Sequence, residues 1–180
     1  MKEQIMSKIE IKKTIEINAP IEKIWDISYN QFSEVDQWIS NIPKSTGSNP
    51  DFDGDTSCTR VCTPSVKGFS KTEETLEFVD IKEKTLRYRV AKGLPGFVKS
   101  ATNTWYHEKS ISGTRLTMHM QAELKGFMGA LMKTPMKKQM GKIIWDALEE
   151  MQHHAETGQP HPRKVKANEK WAKKHKLKAA

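Results

Sequence analysis

An α+β fold is predicted for this 180-residue chain: antiparallel strands come first and one long helix closes the sequence. Three observations lead there. From Thr114 to Leu124, Leu116, Met118, Met120, Ala122 and Leu124 share one face of a strand, while Thr117, His119, Gln121 and Glu123 share the other. From about 135 to 157, Met136, Met140, Ile143, Ile144, Ala147, Leu148 and Met151 give the stripe of a helix buried along one side. Near the start, the alternating run Ile9 to Ile17 stops at Asn18-Ala19-Pro20 and a helical pattern begins at once.

The elements come in this order. After the first strand, Asn18 can close the strand and cap the next helix, and Pro20 suits a first helical turn, where its missing N–H costs nothing. Ile21, Ile24, Trp25 and Ile27 share a helical face, and Phe32, Val35, Trp38 and Ile39 predict a second short helix. Ile42 to Ser48 reads as an edge strand. Asp51-Phe52-Asp53-Gly54-Asp55 reads as a turn; a calcium loop is a poor match, because its Gly comes early and Cys62 stands where the twelfth-position Glu belongs. Strands are then expected at Thr56 to Thr63, Phe69 to Val79, Thr85 to Ala91 and Ser100 to Lys109, the last pairing with Thr114 to Leu124 around Ser112-Gly113. A turn or two of helix near Phe127 to Met132 is expected to break at Thr134-Pro135, where the long helix starts. Gly158 is its expected stop.

Charge is informative once it is located. The chain carries a net charge of +8, and residues 158–180 hold eight Lys/Arg against one acid, Glu169. The body is therefore nearly neutral, and the chain divides into a domain over 1–157 and a basic, flexible tail over 158–180. Val165, Trp171 and Leu177 are the tail's large apolar residues. The tail can stay solvated or form a basic helix on an anionic membrane surface, and contact with nucleic acid would be through phosphates without sequence reading. The first residues lack an apolar signal core and no run reaches membrane-helix length, so a cytoplasmic location is the default expectation.

Cys58 and Cys62 are the only cysteines, and in one regular strand they lie too far apart for a disulfide, so both are expected as buried thiols. His153, His154 and His161 do not have a metal-ligand spacing: adjacent histidines diverge by about 100° on a helix. No nucleophile elbow, glycine-rich phosphate loop or zinc-helix motif is present. Neither a metal nor a cofactor is expected.

The strand ending at Asn18-Ala19-Pro20, Gly113-Thr114-Arg115 opening the last strand, and the C-terminal helix together resemble the START-like (SRPBCC) superfamily. That superfamily includes polyketide cyclases/dehydrases, birch-pollen-allergen-like proteins and abscisic acid receptors. The resemblance runs from about Ile9 to Thr157. It implies a helix-grip fold, a curved antiparallel sheet of about six or seven strands wrapped around the long helix, with a cavity for an apolar ligand between them.

By the same resemblance Lys44, in Ile42-Pro43-Lys44-Ser45, matches a pocket lysine of the receptors, Glu74 a polar pocket position, and Cys62 and Pro64 apolar ones. The loops Pro64 to Phe69 and Lys92 to Phe97, with Leu94, match the receptors' gate and latch in place, although the gate and latch sequences are absent. Strand parity puts Glu74 on one face with Leu76 and Phe78, and Tyr88 alternates against Arg87 and Arg89. Parity leaves the inward face of Ser100 to Lys109 open between Asn103, Trp105 and His107 and their neighbours; Asn103 and Trp105 are taken as inward. Arg60, Met118, Met120, Met136, Met140 and Ile144 complete the candidate ligand-binding set. A competing reading pairs Glu74 at a strand edge and leaves Lys44 in solvent.

The long helix has Lys133, Lys137 and Lys138 at its start and Glu149, Glu150 and Glu156 towards its end, opposite to what its dipole favours. With Lys67, Lys71, Lys92 and Lys99 the lysines could form a basic rim on the cavity. Three functions remain open: a carrier of a small hydrophobic molecule (lipid, isoprenoid, aromatic or polyketide-like), a cyclase/aromatase-like enzyme using Glu74 or Asn103, and a module that associates with membranes or proteins through the tail. The oligomeric state is open.

Overall fold

The computed structural model describes residues 6–48, 58–66, 69 and 71–179. Seven strands form one antiparallel sheet: β1 (Met6–Ile17), β2 (Lys44–Gly47), β3 (Thr59–Thr63), β4 (Thr72–Asp80), β5 (Thr85–Lys92), β6 (Val98–Ser110) and β7 (Gly113–Lys125). Their order across the sheet is β1-β7-β6-β5-β4-β3-β2, so β1 and β2 are the edges and the sheet does not close. The long helix α2 (Gly126–Thr157) packs against β1 and β7, and the short helix α1 (Ile21–Trp25) lies between β1 and β2 in the chain. This is the helix-grip arrangement that the family resemblance implies. The turn at 51–55 falls outside the described residues.

The strand–helix junction and the opening of β7 hold each other. Thr114, fully buried, donates its hydroxyl hydrogen to the Ala19 carbonyl at 2.8 Å. Gly113 has φ 137°, and a Cβ there would lie 2.5 Å from the Ile17 carbonyl oxygen, so only glycine lets the two segments approach. Asn18 does not cap α1: Pro20 is the residue before its first turn, and the Asn18 amide donates to Glu156 Oε1 at 2.8 Å instead. α1 runs into a π-helical turn (Asp26–Asn30), and the expected second helix is a 3-10 segment (Phe32–Gln37).

Two expectations about α2 are corrected. It starts at Gly126 rather than near 135 and continues through Pro135. Proline denies the Leu131 carbonyl its usual donor, but Leu131 and Pro135 both lie on an exposed face, where water can serve. The acids near its end are not misplaced either. Glu150 is fully buried; its Oε2 accepts the Ser40 amide at 2.8 Å and its Oε1 accepts Arg163 Nε at 3.0 Å. Glu149 accepts Arg163 Nη2 at 2.7 Å. At Gly158, φ 72° and a hydrogen bond from its N–H to the His154 carbonyl end the helix as expected.

The tail is not simply a solvated strand of lysines. It forms α3 (Pro162–Ala179), and its first turn is built into the domain. Lys164 is 1 % exposed, with Nζ donating to the Ile42 carbonyl at 3.0 Å. Burial pushes its ammonium below the usual lysine range, opposed by Asp36 and Glu150. The sequence could not show this, because Lys164 finds its partner on a segment far away in the chain and Arg163 reaches back to α2 only through the turn after Gly158. Arg163→Ala is expected to cost about 1–3 kcal/mol, since it strips a donor from the buried Glu150. The same change at exposed Lys166 should leave the denaturation midpoint within error of wild type.

Candidate functional site

A cavity of about 160 Å³ lies between the inner face of the sheet and α2. Apolar side chains make most of its wall: Leu94 from the β5–β6 loop, Met118 and Met120 from β7, and Met136, Met140 and Ile144 from α2. Alternation explains β7, and the helical stripe explains α2. Tyr88 and Trp105 of the wall sit in a chain of inclined aromatic rings that Phe32 and Trp38 extend. Phe32 meets Tyr88 at 5.7 Å, Tyr88 meets Trp105 at 6.5 Å, and Trp105 meets Trp38 at 6.2 Å between ring centroids.

The charged centre of the wall is Arg60 with Glu74. The two are direct neighbours across β3 and β4. Arg60 Nε and Nη2 reach Glu74 Oε2 at 2.8 and 2.7 Å, and Nη1 donates to the Phe32 carbonyl at 2.8 Å. The guanidinium also lies over the rings of Phe32 and Tyr88, at 4.1 and 4.9 Å from their centroids. Burial alone would lower the Arg60 pKa, but the Glu74 carboxylate outweighs it and holds the guanidinium above its ordinary value. Burial, followed by the Glu74 charge, raises the Tyr88 phenol to about 12.

Polar atoms without partners cluster at the same place. Among the described residues, six buried side-chain N or O atoms have no hydrogen-bond partner, and four belong to the cavity wall: Asn41 Oδ1, Thr72 Oγ1, Asn103 Oδ1 and Trp105 Nε1. Asn103 Nδ2 is engaged, donating to the Tyr88 hydroxyl at 3.1 Å. Trp105 Nε1–H is thus an unpaired donor and Asn103 Oδ1 an unpaired acceptor, both on wall residues at neighbouring inward positions of β6.

The structure brings together twelve of the sequence candidates and leaves two outside. Arg60, Glu74, Tyr88, Leu94, Asn103, Trp105, Met118, Met120, Met136, Met140 and Ile144 line the cavity; Cys62 is fully buried just behind, its thiol raised to about 11 by burial. Lys44 is exposed at the start of edge strand β2, and Arg60 takes the place expected for it beside Glu74. Phe78 is 44 % exposed, because an irregularity in the β4–β5 register between Leu76 and Phe78 turns it away from Leu76's face. Of the proposed basic rim, Lys92 pairs with Glu73 and Lys99 with Glu123, and Lys67 falls outside the described residues. Sequence reasoning missed Val35, Ile39 and Ile42, Val66 and Phe69 of the loop after β3, and the polar Asn41 and Thr72. The helical face of Phe32 to Ile39 was the available signal for the first two.

A second polar cluster is closed. Ser28 Oγ lies 2.9 Å from His107 Nε2, and His107 Nδ1 lies 2.6 Å from the Lys84 carbonyl. A carbonyl only accepts, so Nδ1 carries the proton and Nε2 accepts from Ser28. Both residues are buried, with Trp25 edge-on to the imidazole, so the pair joins the α1 region to β6 rather than meeting a substrate. Cys58 and Cys62 are free and buried. His153 and His161 meet edge to face at 5.2 Å.

The family model described as polyketide cyclase / dehydrase and lipid transport matches residues 8–156. The chain belongs to that family. Solved structures similar to this family member include TTHA0849 from Thermus thermophilus, at 15 % identity and a TM-score of 0.64, covering 83 % of this chain and 97 % of that one. The di-domain ARO/CYC StfQ of the steffimycin biosynthetic pathway is similar at 10 % identity and a TM-score of 0.66, with 83 % of this chain matching 51 % of StfQ. Ginseng major latex-like protein 151 from Panax ginseng is similar at 13 % identity and a TM-score of 0.60, with coverage of 83 % and 97 %. At these identities the likeness shows the fold. No curated protein sequence matches significantly. Among the described residues, no helix is long and apolar enough to cross a membrane.

Proposed function

We propose that this family member binds a small, flat aromatic molecule bearing a hydroxyl group, and carries it rather than transforming it. The observation that supports this most is the pairing of an aromatic and aliphatic wall with the unpartnered Trp105 Nε1 and Asn103 Oδ1. Apolar burial would supply the affinity, at about 25 cal/mol per Å². A ligand hydroxyl would accept from Trp105 and donate to Asn103, setting orientation. The cavity volume, about 160 Å³, resembles engineered apolar cavities of about 150 Å³ that take up a benzene ring. Arg60 and Glu74 would contribute a fixed dipole at one side, since each already engages the other.

Calorimetric titration with naphthalene and 2-naphthol tests this. Saturable binding of both is expected, with the naphthol tighter by roughly tenfold and that preference lost in Trp105→Phe. No saturable binding of either would end the carrier reading.

Cyclase or dehydrase chemistry in the same cavity is the second reading, favoured by the family's description. There the wall would fold a flexible substrate into a reactive shape. Native mass spectrometry followed by extraction would identify any bound molecule, and its conversion by the protein would select this reading.

A further inference from the structure

The first two turns of α2 carry an apolar face that no other described residue covers. Phe127 is 72 % exposed, Met128 52 % and Leu131 59 %. At about 100° per residue these three fall within an arc of about 100°. Exposed Lys138 and Lys142 continue the same arc further along the helix. From Leu124 to Trp145 the sequence holds five lysines and no acid. Lys12 and Lys13 of β1 face Lys137, Lys138 and Lys142 across a shallow groove, adding to the positive side, with Glu10 the one acid in it.

The face adjoins the cavity. The Lys125 amide donates to the Phe97 carbonyl at 2.8 Å, tying the start of α2 to the loop that supplies Leu94. Met136, just beyond the exposed turns, lines the cavity.

We infer that Phe127, Met128 and Leu131 insert into the interface of an anionic bilayer while Lys138 and Lys142, on the same arc, contact its headgroups. Charge decides for this occupant over a second copy of the chain: a two-fold pairing of this face would set lysines against lysines, with no acid in the segment to compensate. An apolar tip followed by lysines is the pattern of a helix that enters the headgroup and acyl boundary without crossing it. Docking there would bring the cavity next to the phase in which apolar ligands dissolve. The basic α3 is the other cationic element, but it lacks a comparable exposed apolar cluster among its described side chains.

The test is co-sedimentation of the full chain with vesicles of phosphatidylcholine, with and without about 30 % phosphatidylserine. Binding to the anionic vesicles alone, weakened by salt, is expected. The exposed triple variant Phe127→Ser/Met128→Ser/Leu131→Ser should bind at least about tenfold more weakly. Lys170→Ala/Lys173→Ala/Lys174→Ala in α3 should retain most of the binding. Three results would overturn the assignment: no binding to anionic vesicles at low salt, equal binding by the apolar triple variant with loss in the α3 variant, or a dimer in sedimentation that the apolar triple variant dissolves. None of these depends on the cavity ligand, so vesicle binding and naphthol binding can fail separately.

Discussion

Glu74→Ala is expected to lower the unfolding free energy by about 3–5 kcal/mol, the largest effect expected of a single change in this fold. It would leave the Arg60 guanidinium buried, with the Phe32 carbonyl and two ring faces but no counter-charge. The pair's side chains are 4 % and 11 % exposed, so water cannot make up the loss. Arg60→Ala should cost a similar amount by stranding the carboxylate. Replacing both, as Arg60→Met/Glu74→Leu, should recover most of the stability, because a buried ion pair gains little over a well-packed apolar one and fails mainly when half of it is removed. Urea denaturation of the two single variants and the double variant closes the cycle. A double variant as unstable as the sum of the singles would mean that the pair organises the β3–β4 region in some further way. The same variants, titrated with 2-naphthol, would report whether the dipole orients the ligand.

Stability is expected to fall as pH drops from about 6.5 towards 4, and His107 should carry most of that fall. Burial lowers its pKa from 6.5 to about 4, with the Lys84 charge adding to the shift and the Lys84 carbonyl opposing it. The unfolded chain therefore takes up a proton near pH 6.5 that the folded chain refuses until about pH 4. Stability from the neutral imidazole is complete above 6.5 and is lost progressively below it, amounting to about 2 kcal/mol by pH 5 and about 3 kcal/mol at the lower limit. His154 and His161 are shifted in the same direction by burial and add to the slope. His107→Gln keeps a donor and an acceptor but cannot titrate. Its stability at neutral pH will be lower, yet its loss between pH 7 and 5 should be much smaller than that of wild type. An unchanged slope would move the effect to another group.

Much of the fold was legible because its signals are local. Alternation fixed the inner face of β7, and helical spacing fixed the inner stripe of α2. Gly158 marked the helix end, where a φ of 72° favours glycine. From those elements came the apolar part of the cavity wall: Met118, Met120, Met136, Met140 and Ile144 all line it. Taking Asn103 and Trp105 as inward agreed with the wall, although parity alone left the choice open.

The polar part of the site was less legible, since it depends on register. Arg60 faces Glu74 because β3 and β4 pair with those two residues opposite, and nothing local in either strand states that offset. Lys44 was the charge expected beside Glu74, but its place at the beginning of an edge strand leaves it in solvent. Phe78 obeys the parity of Leu76 until the register irregularity between them reverses it.

By itself, the sequence determined the α+β class, the order of strands and helices, and the apolar faces of the last strand and the long helix, while the cavity between them was implied by the family resemblance. Those depend on periodicities of two and 3.6 residues, which a chain carries along its length. Only the tertiary structure decided which charges meet. The acids late in α2 oppose its dipole when read locally, yet Glu150 and Glu156 hold Ser40 and Asn18 from distant segments and Arg163 from the next helix. Likewise the basic tail begins as part of the domain because Lys164 reaches the Ile42 carbonyl, 122 residues away in the chain. Ion pairs and buried hydrogen bonds require two groups in one place, and the place is set by packing of the whole chain.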